Sequence, residues 1–296
     1  MRRAALRLAA WRGRGLVVVY HRVRTEGPLP HDVVPVVESS LVRRQIEALV
    51  ELGDVVPLRQ LIRDRGTRGN RARFALTFDD DDPAHVRVAL PLLRALGVPA
   101  TFFLSGRALH GLGPYWWVAL ERLVADRGIE AVARMLAVAA STPRELAARR
   151  EGTPLAQELV RISADPHGDA AMVPADVRSL ADAGMTIGFH TLTHPVLPLL
   201  PPDEMSEALV RGRRELEEAC GRPVELLAYP HARSDDRVAR AAKAAGYEAA
   251  FVAGGRPIGA GSNLFELGRW EPGALGIDDF VAGIAVRLNR VDAWRR

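Results

Sequence analysis

The stretch that decides the fold is residues 73–104, RFALTFDDDDPAHVRVALPLLRALGVPATFFL. It opens with the β-rich apolar run Arg73–Phe78, meets four carboxylates at Asp79–Asp82, and continues from Pro83 to Leu96 with helical spacing of its apolar residues. Gly97 then stops the helix, and Ala100–Leu104 is again an apolar, strand-like run. A strand, a helix and a second strand in this order predict a parallel pairing through a crossover, with the acidic cluster at the C-terminal end of the first strand.

Working outward, the same rhythm recurs. Strand-like runs lie at Leu16–Tyr20, Val55–Leu58, Met185–Phe189, Glu225–Tyr229 and Glu248–Val252. Helical patterns occupy Ser39–Leu52, Ala175–Ala183, Asp203–Cys220 and Asp236–Ala245, and Gly184, Gly221 and Gly246 stand where helices stop. Seven candidate strands alternating with helices suit a parallel barrel, with an open doubly wound sheet as the alternative. From about 107 to 170 the rhythm breaks into helical, polar sequence opened by Tyr115-Trp116-Trp117. This reads as a helical insertion, a lid beside the site or a decoration on it, within one domain spanning 1–296.

Composition narrows the class. The chain has 296 residues, of which 48% are hydrophobic, enough for one large core. No apolar run approaches the roughly 20 residues of a membrane-spanning helix. Met1–Arg14 is basic, but Arg7 and Arg12 interrupt its apolar stretch, so a secretory signal is not expected. That segment reads as a frayed terminus or a short amphipathic helix, and the chain as soluble and cytoplasmic. Cys220, the single cysteine, excludes an internal disulfide and is expected to be a packed free thiol. The arginines are interleaved with acids, so no nucleic-acid-binding stripe is expected, although anionic glycans or lipid-linked sugars fit the net charge of +4. The oligomeric state is not legible.

The chemistry sits behind the strands. His21 follows the first run, Asp79–Asp82 the third, His190 and His194 the Met185–Phe189 run, and Pro230-His231 the next. In a parallel barrel the C-terminal ends of all strands open on one face, so these groups would converge. Four adjacent carboxylates repel one another unless solvated or bound to a cation, though Pro83 also allows an acidic helix N-terminus. The histidines are four apart, but position 191 is Thr where the zinc-protease helix needs Glu, and Gly188 and Pro195 favour a loop. Two imidazoles and a carboxylate with open positions suit a hydrolytic metal centre. No Gly-x-Ser-x-Gly motif and no phosphate-binding glycine loop competes. Arg269 and Trp270, after the last strand region, are candidates to line a substrate site or to pack its rim.

Thr77-Phe-Asp79-Asp80, with Gly97-Val-Pro-Ala-Thr-Phe-Phe103 behind it, resembles the first motif of the polysaccharide deacetylases (NodB-homology, carbohydrate esterase family 4). His190-Thr-Leu-Thr-His194-Pro resembles their second motif, Ala228-Tyr-Pro-His231 their third, and Tyr20-His21-Arg-Val the opening of a subset. The resemblance covers about 16–104 and 172–270. It implies a distorted (β/α)7 barrel and one divalent metal ion held by Asp80, His190 and His194. Zinc is the first choice, and cobalt, nickel or manganese suit the same donors. Asp79 would be the general base, Thr191 would brace the histidine loop, and the backbone N–H of Tyr229 would polarise the acyl oxygen.

Three departures stand out. Asp81 replaces the usual glycine after the Asp pair and Asp82 adds a further charge; His231-Ala232 replaces Tyr-Gly; and no histidine follows His231 to serve as the late acid. His21 is therefore the first candidate for the acid and His231 the second. The expected activity is removal of an acyl group, acetyl foremost, from an N-acylated sugar or glycan intermediate. The alternatives are a deformylase or small-amide hydrolase on the same fold, and a catalytically inactive glycan-binding homologue.

Overall fold

A computed structural model describes residues 2–150 and 172–290. Ten strands form: β1 (Gly15–Tyr20), β2 (Arg22–Arg24), β3 (Val36–Glu38), β4 (Gly53–Val55), β5 (Ala72–Asp79), β6 (Ala100–Leu104), β7 (Thr186–Phe189), β8 (Leu226–Ala228), β9 (Ala249–Val252) and β10 (Leu267–Trp270). All pairings between them are parallel. The main sheet runs β1-β10-β9-β8-β7-β6-β5, and a further β1–β5 pairing closes those seven strands into a barrel. The (β/α)7 expectation holds, and the open doubly wound alternative falls.

One of the seven expected strands needs correction, and one strand of the barrel was not expected. The run at Val55–Leu58 gives β4, which lies outside the closure and pairs only with residues 72–74 of β5. Pro57 ends the extended backbone, and Leu58–Arg63 is a helix with Leu58 and Leu61 buried. The seventh barrel strand is β10, which contains Arg269 and Trp270. Its four residues, with Gly268 and Arg269 among them, carry too little apolar patterning to be seen in sequence. Gly268 is required there because a Cβ would meet the Arg256 backbone at 2.7 Å. The pattern at Asp203–Cys220 also divides, into helices Pro202–Val210 and Arg213–Cys220, around Gly212 at φ +87°. Residues 2–11 form a helix, with Leu6, Ala9 and Ala10 buried, so the expectation of a frayed terminus is corrected.

Strand parity separates two cores. Val17, Ala75, Phe103, Leu226, Ala228, Phe251 and Leu267 pack together inside the barrel. The intervening residues Leu16, Val18, Phe74, Leu76, Phe102 and Ile187 pack outward against the helices. Because side chains alternate along a strand, the inward parity of β1 continues to His21, of β5 through Thr77 to Asp79, of β7 through Gly188 to His190, and of β10 through Arg269 to Glu271. Gly188 is the residue that makes room: a Cβ there would meet the Phe103 ring at 2.4 Å.

Between β6 and β7 lie a 3₁₀ turn (Arg107–His110) and the helices Trp116–Arg127, Ile129–Met135 and Pro143–Arg150. The remainder of the expected insertion, 151–170, falls outside the described residues. The first of these helices is latched to the barrel. Glu121 accepts from the Val33 amide at 2.8 Å and from Arg22 Nη1 at 2.9 Å, and Arg22 also pairs with Asp82. No described helix is long and apolar enough to cross a membrane.

Candidate metal and catalytic site

At the C-terminal mouth of the barrel a cavity of about 690 Å³ is lined by His21, Asp79, Asp80, His190, His194, Tyr229, His231, Arg269, Trp270 and Glu271, with Trp116, Trp117 and Arg144 from the segment between β6 and β7. Nine of the residues singled out in the sequence therefore line one cavity.

Asp80, His190 and His194 each offer a ligand atom within 4.8 Å of the other two. Asp80 Oδ1 lies 3.7 Å from His190 Nε2 and 3.9 Å from His194 Nε2. The backbone makes this possible against the strand parity. Asp79 points inward, so Asp80 would point out, but its φ of +74° turns the chain and returns the carboxylate to the mouth. Thr191 (φ +60°) and His194 (φ +53°) are similarly left-handed, and such backbone in non-glycine residues is strained. His85 holds the carboxylate turn. Its ring is wholly buried, and Nε2–H donates to the carbonyls of Asp79 at 2.9 Å and Asp80 at 3.0 Å.

The two imidazoles are in the protonation state a cation requires. His190 Nδ1–H donates to the Ala228 carbonyl at 2.8 Å, which leaves the Nε2 lone pair facing Asp80. Burial pushes His190 down to about 4 and His194 well below its ordinary value, so both rings are neutral at neutral pH. Asp80 is the misfit without a cation. Its Oδ1 is buried with no hydrogen-bond partner, and burial, reinforced by Asp79 and Asp81, pushes it up to about 7. A buried carboxylate oxygen with no donor, facing two neutral imidazoles, fits a divalent cation. The aromatic rings of Trp117 at 5.0 Å, Tyr115 at 5.7 Å and His231 at 4.3 Å fix the His194 imidazole in place.

Asp79 has a different environment. Arg269 Nη1 and Nη2 each donate to one of its oxygens at 2.6 Å, a two-pronged pair buried across the barrel. Burial alone would raise this carboxyl, but Arg269, with His190 and His21, outweighs it and holds it at about 2. Arg269 itself stands on Thr77 and on the Phe103 ring. The structure thus places Arg269, expected at the substrate, on the candidate base.

His21 Nδ1 lies 2.9 Å from Glu271 Oε1. Burial lowers this imidazole, but Glu271, Asp79 and Asp80 prevail and raise it to about 9, so it is protonated at neutral pH. His231 instead turns Nε2 towards the His194 carbonyl at 3.3 Å.

Two expectations change. The Tyr229 amide donates to the Phe251 carbonyl at 3.1 Å as part of the barrel, so it is not available to polarise an acyl oxygen. Its ring is buried, and its hydroxyl donates to the Phe265 carbonyl. Trp270 reaches the cavity but is 4% exposed and stacked on Phe280 at 5.2 Å. The acidic run also resolves into separate tasks. Asp81 accepts from the backbone amides of Ser105 at 2.8 Å and Arg107 at 2.9 Å, so the carboxylate in place of glycine ties two loops together. Asp82 accepts from the Ala84 amide at 2.9 Å and pairs with Arg22, which joins the acidic-helix reading to the metal reading in one segment.

The sequence reading passed over His85, Arg22 and Glu271. Glu271 shares the parity of Arg269, but only through β10, which the sequence pattern does not show. His85 had no signal, because its bonds to the carbonyls of Asp79 and Asp80 depend on a single π-helical turn, His85–Ala89.

A closed parallel barrel with an Asp-His-His cluster at its C-terminal mouth defines the class of barrel proteins with one candidate metal site at the strand ends. Within that class the family is shown: the polysaccharide deacetylase profile matches residues 67–250, and the chain belongs to that family. No curated protein matches the sequence. Among solved structures of similar fold, the Streptococcus pyogenes deacetylase PplD is 14% identical with a TM-score of 0.64, over 94% of this chain and 99% of that one. IcaB from Ammonifex degensii is 18% identical with a TM-score of 0.59, again over 94% and 99%. A polysaccharide deacetylase from Bacillus cereus is 17% identical with a TM-score of 0.60, over 92% and 69%.

Proposed function

We propose that this protein is a divalent-metal-dependent hydrolase that removes the acetyl group from an N-acetylated sugar of a glycan. The observation that carries the reading is the partnerless buried Asp80 Oδ1 facing His190 and His194, beside an ionised Asp79 clamped by Arg269. Asp80, His190 and His194 would hold the cation, with zinc the first choice. When bound, such a cation supplies Lewis acidity towards an acyl carbonyl and acidifies a water.

The chain's own groups divide the rest. Asp79 takes the proton of the attacking water on a carboxylate oxygen, and Arg269 keeps that carboxylate ionised and oriented. His21, with Nδ1 turned to Glu271, presents Nε2–H to the departing amine, which must be protonated because an amide anion is too basic to leave. His231 packs on His194 and positions it. The segment between β6 and β7 contributes Trp116 and Trp117 as a wall that limits water and offers aromatic faces to a sugar ring.

Acetate release from N-acetylated oligosaccharides, measured before and after chelation and metal return, tests the reading. Chelation should abolish release and metal should restore it. Asp79→Asn should lower turnover by about 10²–10⁴-fold with metal content unchanged. Full activity in Asp79→Asn, or undiminished release after verified metal removal, would overturn it.

A further inference from the structure

The charged groups lining the cavity can be matched one by one. Asp79 is neutralised by Arg269, and Glu271 faces His21. Asp80 belongs to the triad with His190 and His194. Two cations remain, Arg144 and Arg287, and neither has a carboxylate within ion-pair distance among the described residues. Arg144 lies on the helix Pro143–Arg150, near enough to Glu271 to help lower its pKa after His21. Arg287 lines the same cavity from the helix Ile277–Leu288.

Arg287 is held in a built position. Its guanidinium carbon sits 4.1 Å from the centre of the Trp270 ring, and Nη1 donates to the Gly283 carbonyl at 3.2 Å. Nε is buried and has no hydrogen-bond partner. Two glycines leave it room. A Cβ on Gly255, at φ +60°, would meet Arg287 Nε at 2.7 Å, and one on Gly283 would meet the Trp270 ring at 2.9 Å. A half-buried guanidinium without a counter-ion is costly, and burial lowers its proton affinity. The planar fork matches the oxygens of a phosphate or carboxylate.

We propose that the cavity takes an acidic glycan: an N-acylated sugar unit carrying a phosphate or carboxylate that pairs with Arg287 and Arg144. This rests on the glycan reading above and names its substrate class. Trp116 and Trp117 serve the sugar, and the two guanidinium groups serve its charge. Arg287 is fixed before binding by Trp270 and Gly255, so little ordering of it is needed when the anion arrives, and the exposed Arg144 adds its charge from the helix Pro143–Arg150.

Binding is measured on the metal-loaded protein by titration calorimetry with N-acetylglucosamine, its 1-phosphate, and its uronic acid. Wild type should bind at least one acidic sugar about tenfold more tightly than the neutral one, as expected for charge-assisted pairs in a cavity. That preference should fall towards one in Arg287→Met and in Arg144→Met, and Arg287→Lys should keep part of it. The cation is common to all four proteins, so its own attraction for phosphate cancels in the comparison. The acidic sugar that is preferred identifies phosphate or carboxylate as the group. Equal binding of all three sugars by wild type, no binding of any, or a preference that survives in both methionine variants overturns the proposal. Acetate release judges the hydrolase reading separately, because the binding comparison stands whether or not the sugars are hydrolysed.

Discussion

Replacing Arg269 with methionine should turn the best-made ion pair of the barrel into its largest liability. Asp79 is 2% exposed and Arg269 3%, and their two bonds of 2.6 Å are made across the closed lumen. In the folded protein Asp79 is held at about 2 against an ordinary 3.8, burial opposing and Arg269 prevailing. At about 1.4 kcal/mol per tenfold difference, the net depression of this carboxyl is worth roughly 2–3 kcal/mol at neutral pH, with Arg269 the largest favourable cause. Because the folded value is depressed, that stabilisation is fully present above pH 3.8 and disappears as pH falls through about 2. Removing one partner of a buried pair also strands the other charge, and such losses run to about 3–5 kcal/mol. Urea unfolding of chelated wild type and Arg269→Met between pH 7 and pH 4 measures the gap. In the variant, burial acts on Asp79 unopposed by Arg269, so the carboxyl protonates earlier on acidification. The gap should be widest at pH 7 and should narrow by about 1.4 kcal/mol per pH unit once protonation begins. The double variant Asp79→Asn/Arg269→Met, with no buried charge to strand, should regain much of the loss. A gap that stays constant from pH 7 to pH 4, with no recovery in the double variant, would refute the electrostatic reasoning and leave only packing on Phe103 and Thr77.

Three further outcomes are expected. His190→Ala and His194→Ala should each lose the bound divalent ion in elemental analysis of the purified protein, and unchanged content in both would remove the triad. His85→Leu, which frees the carbonyls of Asp79 and Asp80, should weaken metal affinity about 10–100-fold in competition with a chromophoric chelator, the usual range for groups that orient ligands; wild-type affinity would make its two bonds incidental. His21 has a raised folded value of about 9, so its pairing with Glu271 stabilises fully below its ordinary 6.5 and is lost as pH rises through about 9. The basic limb of turnover should accordingly lie near that value and move to lower pH in Glu271→Gln, whereas an unmoved limb would take the acid role from His21.

What the sequence determined by itself were the features that repeat locally. Alternating apolar runs and helical spacing marked the parallel barrel, and Gly97, Gly184, Gly221 and Gly246 marked helix ends that all take positive φ. The carboxylate run and the histidine pair stood out because such residues at strand ends are costly without a purpose. The tertiary structure alone decided how they divide the work. Barrel closure joins residues about 190 apart in sequence, bringing Arg269 onto Asp79. It brings Glu271 beside His21 and places Arg144 and Arg287 at one cavity. The left-handed turn at Asp80, which no local pattern announces, sends one carboxylate to the triad while its neighbour stays with the arginine. It also decided that the Tyr229 amide belongs to the barrel. A hydrophobic period reports which face of an element is buried, but a hydrogen bond or ion pair between distant strands depends on closure and register, and those are settled only when the whole sheet has formed.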